Sequence, residues 1–287
     1  MKFYTFQTII LFSSFLYAEN HFILKTHARV VPERLGDFAW ENDLIAFRVY
    51  GPKLRNKPEN NGIDCWLKRV KYPIIDKWYS QMKYKSYHKD HGEGHDPYSV
   101  GSSAGCGGTG IWLNSKRYPL ETYINQEIIS SNPERSQFQL NYKNTINGIM
   151  FEEEKIITIE LGKRLFSVHS KFTRNGKNSV NLPICIGLTT HEGKAETFFH
   201  KKRGWIACWE KISDSSLGTA VMTDPKRIDI IKEVKSGKKD QDHIFIIMKT
   251  DENGSLEYKA GYGWKKAGDI TDKGKWKNYL DSIKMYD

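Results

Sequence analysis

LIAFRVYGP, at residues 44–52, is the segment that first indicates the fold of this chain. Successive side chains of a β-strand point to opposite faces, which places Ile45, Phe47 and Val49 together on one face of this segment. Arg48 lies on the other face, beside aromatic residues. The segment therefore predicts a strand that packs one apolar face on a core and displays a fixed cation on the opposite face.

The same rhythm of short apolar and β-branched runs, separated by turn residues, continues along the chain. Further runs of this kind are 149–161, 164–173, 182–190, 205–212, 217–224, 243–250 and 256–264. Strands at such even spacing predict a mostly β fold, a single-domain antiparallel β-sandwich of two stacked sheets. Helices are few: one at the C-terminus over 276–286 and a short one around 74–82. No repeat or linker divides the chain, so one domain over 19–287 is expected.

The first eighteen residues, MKFYTFQTIILFSSFLYA, place one Lys before an apolar run that ends in small residues. This pattern is typical of a secretory signal peptide. The run is too short for a membrane span, and the polar stretch after it contains no second apolar block. We therefore expect an exported protein without a stable membrane span, periplasmic or alternatively secreted.

A formal net charge of +10 indicates an anionic partner. Outside the cytoplasm an acidic polysaccharide is a better candidate than nucleic acid, for which the chain lacks a recognition helix, an RNA-binding motif and a concentrated basic arm. Aromatic residues make up 13% of the chain, and such rings fill cores and also stack on sugar faces. These features leave the oligomeric state open.

The four cysteines are far apart in the sequence and form no CxxC pair, which excludes a zinc ribbon. They are Cys65, Cys106, Cys185 and Cys208. Disulfides in an oxidising compartment and buried free thiols are both compatible with their surroundings.

Residues 86–110 break the strand rhythm, with seven glycines separated by ionisable and aromatic residues. A long irregular loop inside a compact domain is usually functional, so we expect the site here. The residues that carry chemistry are His88, Asp90, His91, Glu93, His95, Asp96 and Tyr98. The glycines of SSAGCGG, at 102–108, would let backbone approach a ligand closely.

Three uses of this cluster are open. General acid–base catalysis needs a His or Tyr beside a carboxylate that orients it, and the cluster offers several such pairs. A divalent metal at His88, Asp90, His91 and Glu93 is an alternative, although the spacing matches no helix-borne zinc motif. In the third case the carboxylates only cap backbone N–H groups. We expect catalysis without a metal or cofactor.

Residues outside the loop complete the expected site. His191 follows an apolar strand at its C-terminal end, where loops often carry chemistry. Trp112, Tyr262 and Trp264 are candidate platforms for a sugar ring, although Trp in a strand is most often a core residue.

Several long strings resemble the family catalogued as domain of unknown function 4861. They are IAFRVYGP, GIDCWLKRVKYPIIDKWY (62–79), YHKDHGEGHDPYSVGSSAGCGGTGIW (87–112), GWIACWE, LGTAV, AGYGW and WKNYL. His95 and Pro97 look atypical against the family pattern, which favours leaving both out of the core site. The resemblance implies a protein of polysaccharide utilisation with a galactose-mutarotase-like β-sandwich, similar to an oligosaccharide dehydratase that acts on ulvan fragments.

Such a dehydratase would act on a uronic-acid-containing oligosaccharide by β-elimination, which needs a neutralised carboxylate, a base near C5 and an acid at the C4 oxygen. Arg48, with Asp96, would bind the substrate. The base would be His88 or His91.

Asp90 or Glu93 would orient that imidazole, and Tyr98 would deliver the proton. A glycoside hydrolase or epimerase-like enzyme on the same glycans could instead use Asp90 with Glu93 or Asp96 as a carboxylate pair. A non-catalytic glycan-binding protein would rely on the Trp and Tyr platforms.

Overall fold

Antiparallel strands make up most of the regular structure in the computed structural model, which describes residues 24–286. The leader predicted at residues 1–18 lies outside the described residues. The strands are β1 (His27–Val31), β2 (Asp37–Glu41), β3 (Ala46–Val49), β4 (Asp64–Lys68), β5 (Gly94–His95), β6 (Cys106–Leu113), β7 (Lys116–Tyr118), β8 (Tyr123–Ser131), β9 (Arg135–Ile146), β10 (Ile149–Glu160), β11 (Leu165–Arg174), β12 (Lys177–Asn178), β13 (Pro183–Thr189), β14 (Glu196–His200), β15 (Trp205–Ile212), β16 (Ser215–Met222), β17 (Ile230–Val234), β18 (His243–Lys249) and β19 (Ser255–Trp264). The α-helices of the described part are α1 (Ile75–Gln81) and α2 (Lys273–Ser282), and short 3-10 helices span Pro52–Leu54, Lys201–Arg203, Pro225–Arg227 and Lys265–Ala267.

The described strands form three sheets. One has the order β1-β2-β3-β4-β5, and another has the order β17-β18-β13-β6-β7. The largest runs β14-β15-β16-β19-β11-β10-β9-β8, with β12 added to β11. One cluster of buried apolar side chains draws on all three sheets. The expected mostly β, antiparallel fold is confirmed, with a third sheet beside the predicted two.

Aromatic rings fill the contact between the first sheet and the largest sheet. Trp40 is fully buried, and its ring centroid lies 5.6 Å from that of Phe47, 5.3 Å from that of Phe138 and 5.5 Å from that of Phe166. Burying one such side chain stabilises the fold by about 2–3 kcal/mol. The alternating apolar face predicted for residues 44–52 thus packs on the largest sheet.

Each predicted strand is present, with ends that differ by a few residues. The C-terminal helix is also present, but it begins earlier than the predicted residue 276. It begins at Lys273 because the side chain of Asp272 accepts a hydrogen bond from the Lys275 N–H and caps the first turn.

The glycine-rich end of the predicted loop is instead a strand, β6. Gly107 has φ +92°, and a Cβ there would lie 2.6 Å from the Cβ of Ala260. A Cβ on Gly108 would lie 2.4 Å from the Ala104 carbonyl oxygen. These glycines therefore let β6 pack closely against Ala260 and Ala104 of the same protein. This corrects the expectation that the SSAGCGG backbone approaches a ligand.

The cysteines and the expected lack of a membrane span can be compared with the structure. All four cysteines are buried free thiols. Between residues 24 and 286, the structure contains no helix with the length and apolar character needed to cross a membrane.

Candidate active site

Asp90 stabilises the predicted loop by accepting hydrogen bonds from its backbone. One oxygen of its carboxylate accepts hydrogen bonds from the N–H groups of Gly92 at 2.9 Å and Gly94 at 3.3 Å, and from Arg69 at 3.1 Å. Burial acts to raise the pKa of Asp90, but the Gly92 N–H and the Arg69 charge outweigh it and lower that pKa. Asp90 is therefore an ionised anchor of the loop and orients no histidine.

Glu93 ties the loop to helix α1. Its carboxylate accepts hydrogen bonds from the Tyr72 hydroxyl at 2.5 Å, from Trp78 Nε1 at 3.1 Å and from Lys77 Nζ. Burial acts to raise the pKa of Glu93, but the hydrogen bond from Lys77 and those from the two aromatic residues lower it below its ordinary value. The predicted role of Glu93 beside a catalytic imidazole is thus replaced by a structural one.

The two histidines predicted as bases lie on the outer surface of the loop. His91 Nε2 lies 3.1 Å from the Ser86 carbonyl oxygen, with no carboxylate partner among the described residues. His88 Nδ1 lies 3.0 Å from the Asp96 carbonyl oxygen and 3.4 Å from Asp96 Oδ2, and 61% of its side chain is exposed. The partner of His88 is therefore Asp96, in place of the predicted Asp90 or Glu93.

Arg48 is buried, with its guanidinium enclosed by carboxylates. Its Nε lies 3.0 Å from Asp64 Oδ2, and its second terminal nitrogen lies 2.5 Å from that oxygen and 3.1 Å from Asp96 Oδ2. Burial acts to lower the pKa of Arg48, but Asp64 and Asp96 outweigh it and raise that pKa well above its ordinary value. The guanidinium has no room for a substrate carboxylate, so both Arg48 and Asp96 leave the set of substrate-binding residues.

The inner side of the same loop forms one wall of a cavity of about 360 Å³, a size typical of small-ligand sites. Pro97 and Ser99 line it, together with residues 191, 192, 194, 210–213 and 239–240 from three other segments. Burial alternates from Asp96 to Ser99, which places Pro97 and Ser99 toward the cavity and the other two side chains inward. Loops that converge on a rigid sheet in this way commonly carry the chemistry of a protein.

An ion pair lies at this cavity. His191 Nδ1 lies 2.7 Å from Glu210 Oε2, and Nε2 lies 2.8 Å from the Ser99 carbonyl oxygen. Burial acts to lower the pKa of His191, but the hydrogen bond and charge of Glu210 outweigh it and raise that pKa. The protonated imidazole is therefore favoured, with its two N–H groups directed at Glu210 and Ser99.

The backbone that carries His191 is strained. His191, Glu192 and Gly193 have φ values of +47°, +56° and +76°. For an L-residue, the left-handed region costs roughly 1–2 kcal/mol. Such strain persists only where the surroundings determine the conformation, and it is common at functional sites.

A second histidine reaches the cavity through Ser213. His95 Nε2 lies 3.2 Å from Ser213 Oγ, while its Nδ1 is buried without a hydrogen-bond partner in the described part of the chain. Burial lowers the pKa of His95, which favours the neutral imidazole. His95 and His191 thus have pKa values shifted in opposite directions, a combination that separates a base from an acid.

Lysines surround the opening of the cavity. Lys194, Lys211 and Lys239 line it, and Lys194 Nζ lies 3.4 Å from Glu192 Oε2. Lys211 and Lys239 have no carboxylate partner among residues 24–286. Three carboxylates, Glu192, Glu210 and Asp240, line the cavity as well. Glu210 is paired with His191 and Glu192 with Lys194, so Lys211 and Lys239 are the groups that suit an anionic ligand.

Tyr98 lies behind the cavity instead of inside it. Its side chain is buried, its hydroxyl has no hydrogen-bond partner among the described residues, and its ring meets that of His191 edge-on at 4.8 Å. Burial raises the pKa of the Tyr98 phenol well above its ordinary value. Tyr98 therefore positions His191, and the predicted role of proton donor does not fit this geometry.

The predicted sugar platforms are also core or outer-sheet residues. Tyr262 is fully buried and donates its hydroxyl to the Trp66 carbonyl oxygen at 2.5 Å, and Trp264 is fully buried as well. Neither ring has a free face for a sugar, so both leave the candidate site. Trp112 is half-buried, with its ring 5.6 Å from Phe245.

Sequence reasoning missed Glu210 and Ser213 and set His95 aside. One signal for Glu210 was available in WIACWEKI, where alternation places it on the same face as Ile206 and Cys208. A carboxylate on an apolar strand face is rarely buried without a partner. No comparable signal marks Ser213, which meets His95 only in the folded chain.

The side chains of the alternative metal site have separate partners. His88, His91, Asp90 and Glu93 contact Asp96, Ser86, Arg69 and Lys77, respectively. Within residues 24–286 no group of three or more His, Cys, Asp or Glu side chains is arranged to hold a metal ion.

Comparison with known proteins gives a family match over nearly the whole chain. The model of the family described as Domain of unknown function (DUF4861) matches residues 15–285. Uncharacterized protein P7 from Formosa agariphila is 35% identical over 272 residues, which are 90% of this chain and 66% of that protein. The chain thus spans about two thirds of the length of this curated relative.

Two solved structures share a weaker likeness. The GH36 alpha-galactosidase AgaB from Geobacillus stearothermophilus matches with a TM-score of 0.38 and 8% identity, covering 83% of this chain and 41% of the other. A protein from Klebsiella pneumoniae assigned as an aldose 1-epimerase matches with a TM-score of 0.35 and 9% identity, covering 82% of each chain. Both TM-scores lie below 0.5, so neither likeness is used to infer a substrate.

Proposed function

The chain belongs to the family described as Domain of unknown function (DUF4861), and on that premise we propose that it is a carbohydrate-active enzyme. The proposed reaction is β-elimination on uronic-acid-containing oligosaccharides, as the resemblance to an ulvan oligosaccharide dehydratase implies. The observation that carries the proposal is the His191–Glu210 ion pair in the lysine-lined cavity that His95 reaches through Ser213.

The residues of the cavity meet the needs of this reaction. Lys211 and Lys239 neutralise the uronate carboxylate, which makes the C5 proton more acidic. His95 lies behind Ser213, and its burial favours the neutral imidazole. It accepts that proton at Nε2 after exchanging its hydrogen bond with Ser213. The electron pair of the C5–H bond forms the C4–C5 double bond.

His191 supplies the acid. Its Nε2 proton, now directed at the Ser99 carbonyl oxygen, passes to the C4 oxygen, and the C4–O bond breaks so that water leaves. Glu210 stabilises the imidazolium before the transfer and orients the ring. Catalytic hydrogen bonds often form fully only when substrate is bound, so the exchange at Ser99 is an ordinary requirement.

The carboxylates predicted for the hydrolase alternative are engaged elsewhere in the fold. It needs a pair of carboxylates on either side of the scissile bond. Asp90 is paired with Arg69, Glu93 with Lys77 and Asp96 with the buried Arg48.

The test follows the ultraviolet absorbance of a 4,5-unsaturated uronate while the protein is incubated with oligosaccharides from ulvan, pectin and alginate. We expect absorbance to rise with one glycan, with or without chelator, and to stay flat for His191→Ala. His200→Ala, on the exposed end of β14, is the matched control that keeps wild-type turnover.

Sugar release without a rise in absorbance would show hydrolysis. A wild-type protein that binds the glycan without any turnover, and whose binding is unchanged in His191→Ala, would be a glycan-binding protein. Loss of the signal with chelator would require a metal. Export is part of the proposal and is tested by detecting the protein in periplasmic and culture fractions.

A further inference from the structure

The segment after helix α1 presents cations and an aromatic ring on the outer side of the loop. Lys83 and Lys89 are exposed, and Lys85 is half-buried beside them. Tyr84, between two of these lysines, has 79% of its surface exposed. We call residues 83–91 the basic segment.

The positive charge of the basic segment is not cancelled by its neighbours. Within the described residues, none of Lys83, Lys85 and Lys89 has a carboxylate within ion-pair distance. The nearby carboxylates of Asp90 and Glu93 are already engaged by Arg69 and Lys77. The segment therefore projects a net positive field into solvent.

Hydrogen bonds hold the basic segment in one conformation. The Ser86 carbonyl oxygen accepts the Lys89 N–H at 3.2 Å and lies 3.1 Å from His91 Nε2, while the Ser86 hydroxyl accepts the His88 N–H at 3.3 Å. A segment that is already ordered loses less conformational entropy when it binds a ligand. The backbone at residues 86–91 is thus ordered before a ligand binds.

The basic segment and the cavity are connected through one short stretch of chain. The Asp96 N–H donates to the Tyr87 carbonyl oxygen at 2.9 Å, and the chain then runs to Ser99 at the cavity wall. Three residues of extended chain span about 10 Å. The basic segment therefore adjoins the stretch of chain that forms the cavity wall.

We propose that the basic segment, with Tyr84 as a stacking ring, binds the anionic units of a polysaccharide beyond the one held in the cavity. The inference rests on the proposed function for its substrate class, because the cavity defines where the chain end lies. The ligand chemistry is a carbohydrate with regularly spaced carboxylate or sulfate groups. Three cations without carboxylate partners in the described residues suit such a chain, and the exposed ring offers a face to a sugar.

The test compares two charge-matched triple variants of the whole protein. Lys83→Ala, Lys85→Ala and Lys89→Ala are combined in one, and Lys273→Ala, Lys275→Ala and Lys277→Ala on helix α2 in the other. Binding is measured by calorimetry with polygalacturonate and with a sulfated uronate polysaccharide, which distinguish carboxylate from sulfate as the recognised group. We expect the first variant to lose about tenfold in affinity for at least one polymer, and the helix variant to bind like the wild type.

Further arms separate this proposal from the proposed function. His191→Ala should bind the polymers normally without turning them over, and Tyr84→Ala alone should weaken binding without altering the salt dependence. Equal binding by both triple variants would overturn the proposal. If the Lys83/Lys85/Lys89 variant lost as much turnover on the shortest substrate as on the polymer, the proposal would also be overturned, because the lysines would then act on the cavity. Binding of single-stranded DNA as tight as that of the polysaccharide would refute a glycan-selective surface.

Discussion

Glu210→Gln is the substitution that most directly tests the His191 ion pair. The amide has nearly the same shape as the carboxylate, so the change removes charge without leaving a cavity. The side chains of His191 and Glu210 are only 12% and 5% exposed, which leaves their interaction weakly screened by solvent. A hydrogen bond to a charged group contributes about 1.5–3 kcal/mol, so we expect this loss in the free energy of unfolding and a fall in Tm of about 5 °C.

The loss should depend on pH in a defined direction. Since Glu210 raises the pKa of His191 in the folded state, the stabilisation is complete below the ordinary histidine pKa and disappears as pH rises through the raised value. The difference in unfolding free energy between wild type and variant should be widest in mildly acidic buffer and should close in mildly alkaline buffer. Urea unfolding at a series of pH values measures it.

Turnover should change in the same variant. Without Glu210, the largest opposition to burial is lost and the pKa of His191 falls. The alkaline limb of the kcat profile therefore moves to lower pH, and kcat/KM falls about 100-fold. Glu154→Gln on the exposed face of β10 is the control, because this carboxylate lies outside the cavity and its loss changes the net charge equally. An alkaline limb and an unfolding profile like those of the wild type in Glu210→Gln would refute the assigned role of the pair.

Three further outcomes are expected. Arg48→Met leaves Asp64 buried without its cation and should destabilise the protein by about 3–5 kcal/mol in urea unfolding; adding Asp64→Asn should recover part of the loss, and no recovery would contradict the ion-pair account. Gly107→Ala places a Cβ against the core at positive φ and should lower the free energy of unfolding by more than about 2 kcal/mol. In the control Gly148→Ala, φ is +76° and no atom lies within 4 Å, so backbone strain alone should lower that free energy by about 1 kcal/mol. Because burial lowers the pKa of His95, the wild-type kcat/KM should hold its plateau into mildly acidic pH, and His95→Gln should remove turnover at every pH without weakening substrate binding.

The strand pattern was predictable because alternation is a local property of the sequence. Residues 205–212 and 256–264 show it clearly and are strands β15 and β19 in the structure. The strand Cys106–Leu113 was missed, because its glycines have low strand propensity and are required by close packing against Ala260, a contact 153 positions away in the sequence at Gly107. Contacts of this range are not encoded in any window of the local sequence.

The site was predictable only where a residue type stood out locally. His191 stood out because a histidine follows an apolar strand, and the structure places it at the cavity. The carboxylates of the 86–99 loop stood out too, but their partners Arg69, Lys77 and Arg48 lie on other segments and make them structural. The direction in which a side chain points across a loop was not available from spacing, and this misassigned Tyr98.

The buried ion pairs of Arg48 with Asp64 and Asp96 lie on one side of the loop, and the cavity lies on its other side. This arrangement gives the ion pairs a positional role. A buried ion pair contributes little net stability compared with apolar residues of the same volume, because desolvation offsets much of the attraction. What such a pair does provide is a fixed geometry: Arg48 holds Asp96, and His191 holds the Ser99 carbonyl oxygen. The segment 96–99 is thereby held at both ends, and its alternation places Pro97 and Ser99 at the cavity wall. Acid–base groups must be held within a few tenths of an ångström to act together, so the charges in this loop prepare the cavity for chemistry without taking part in it.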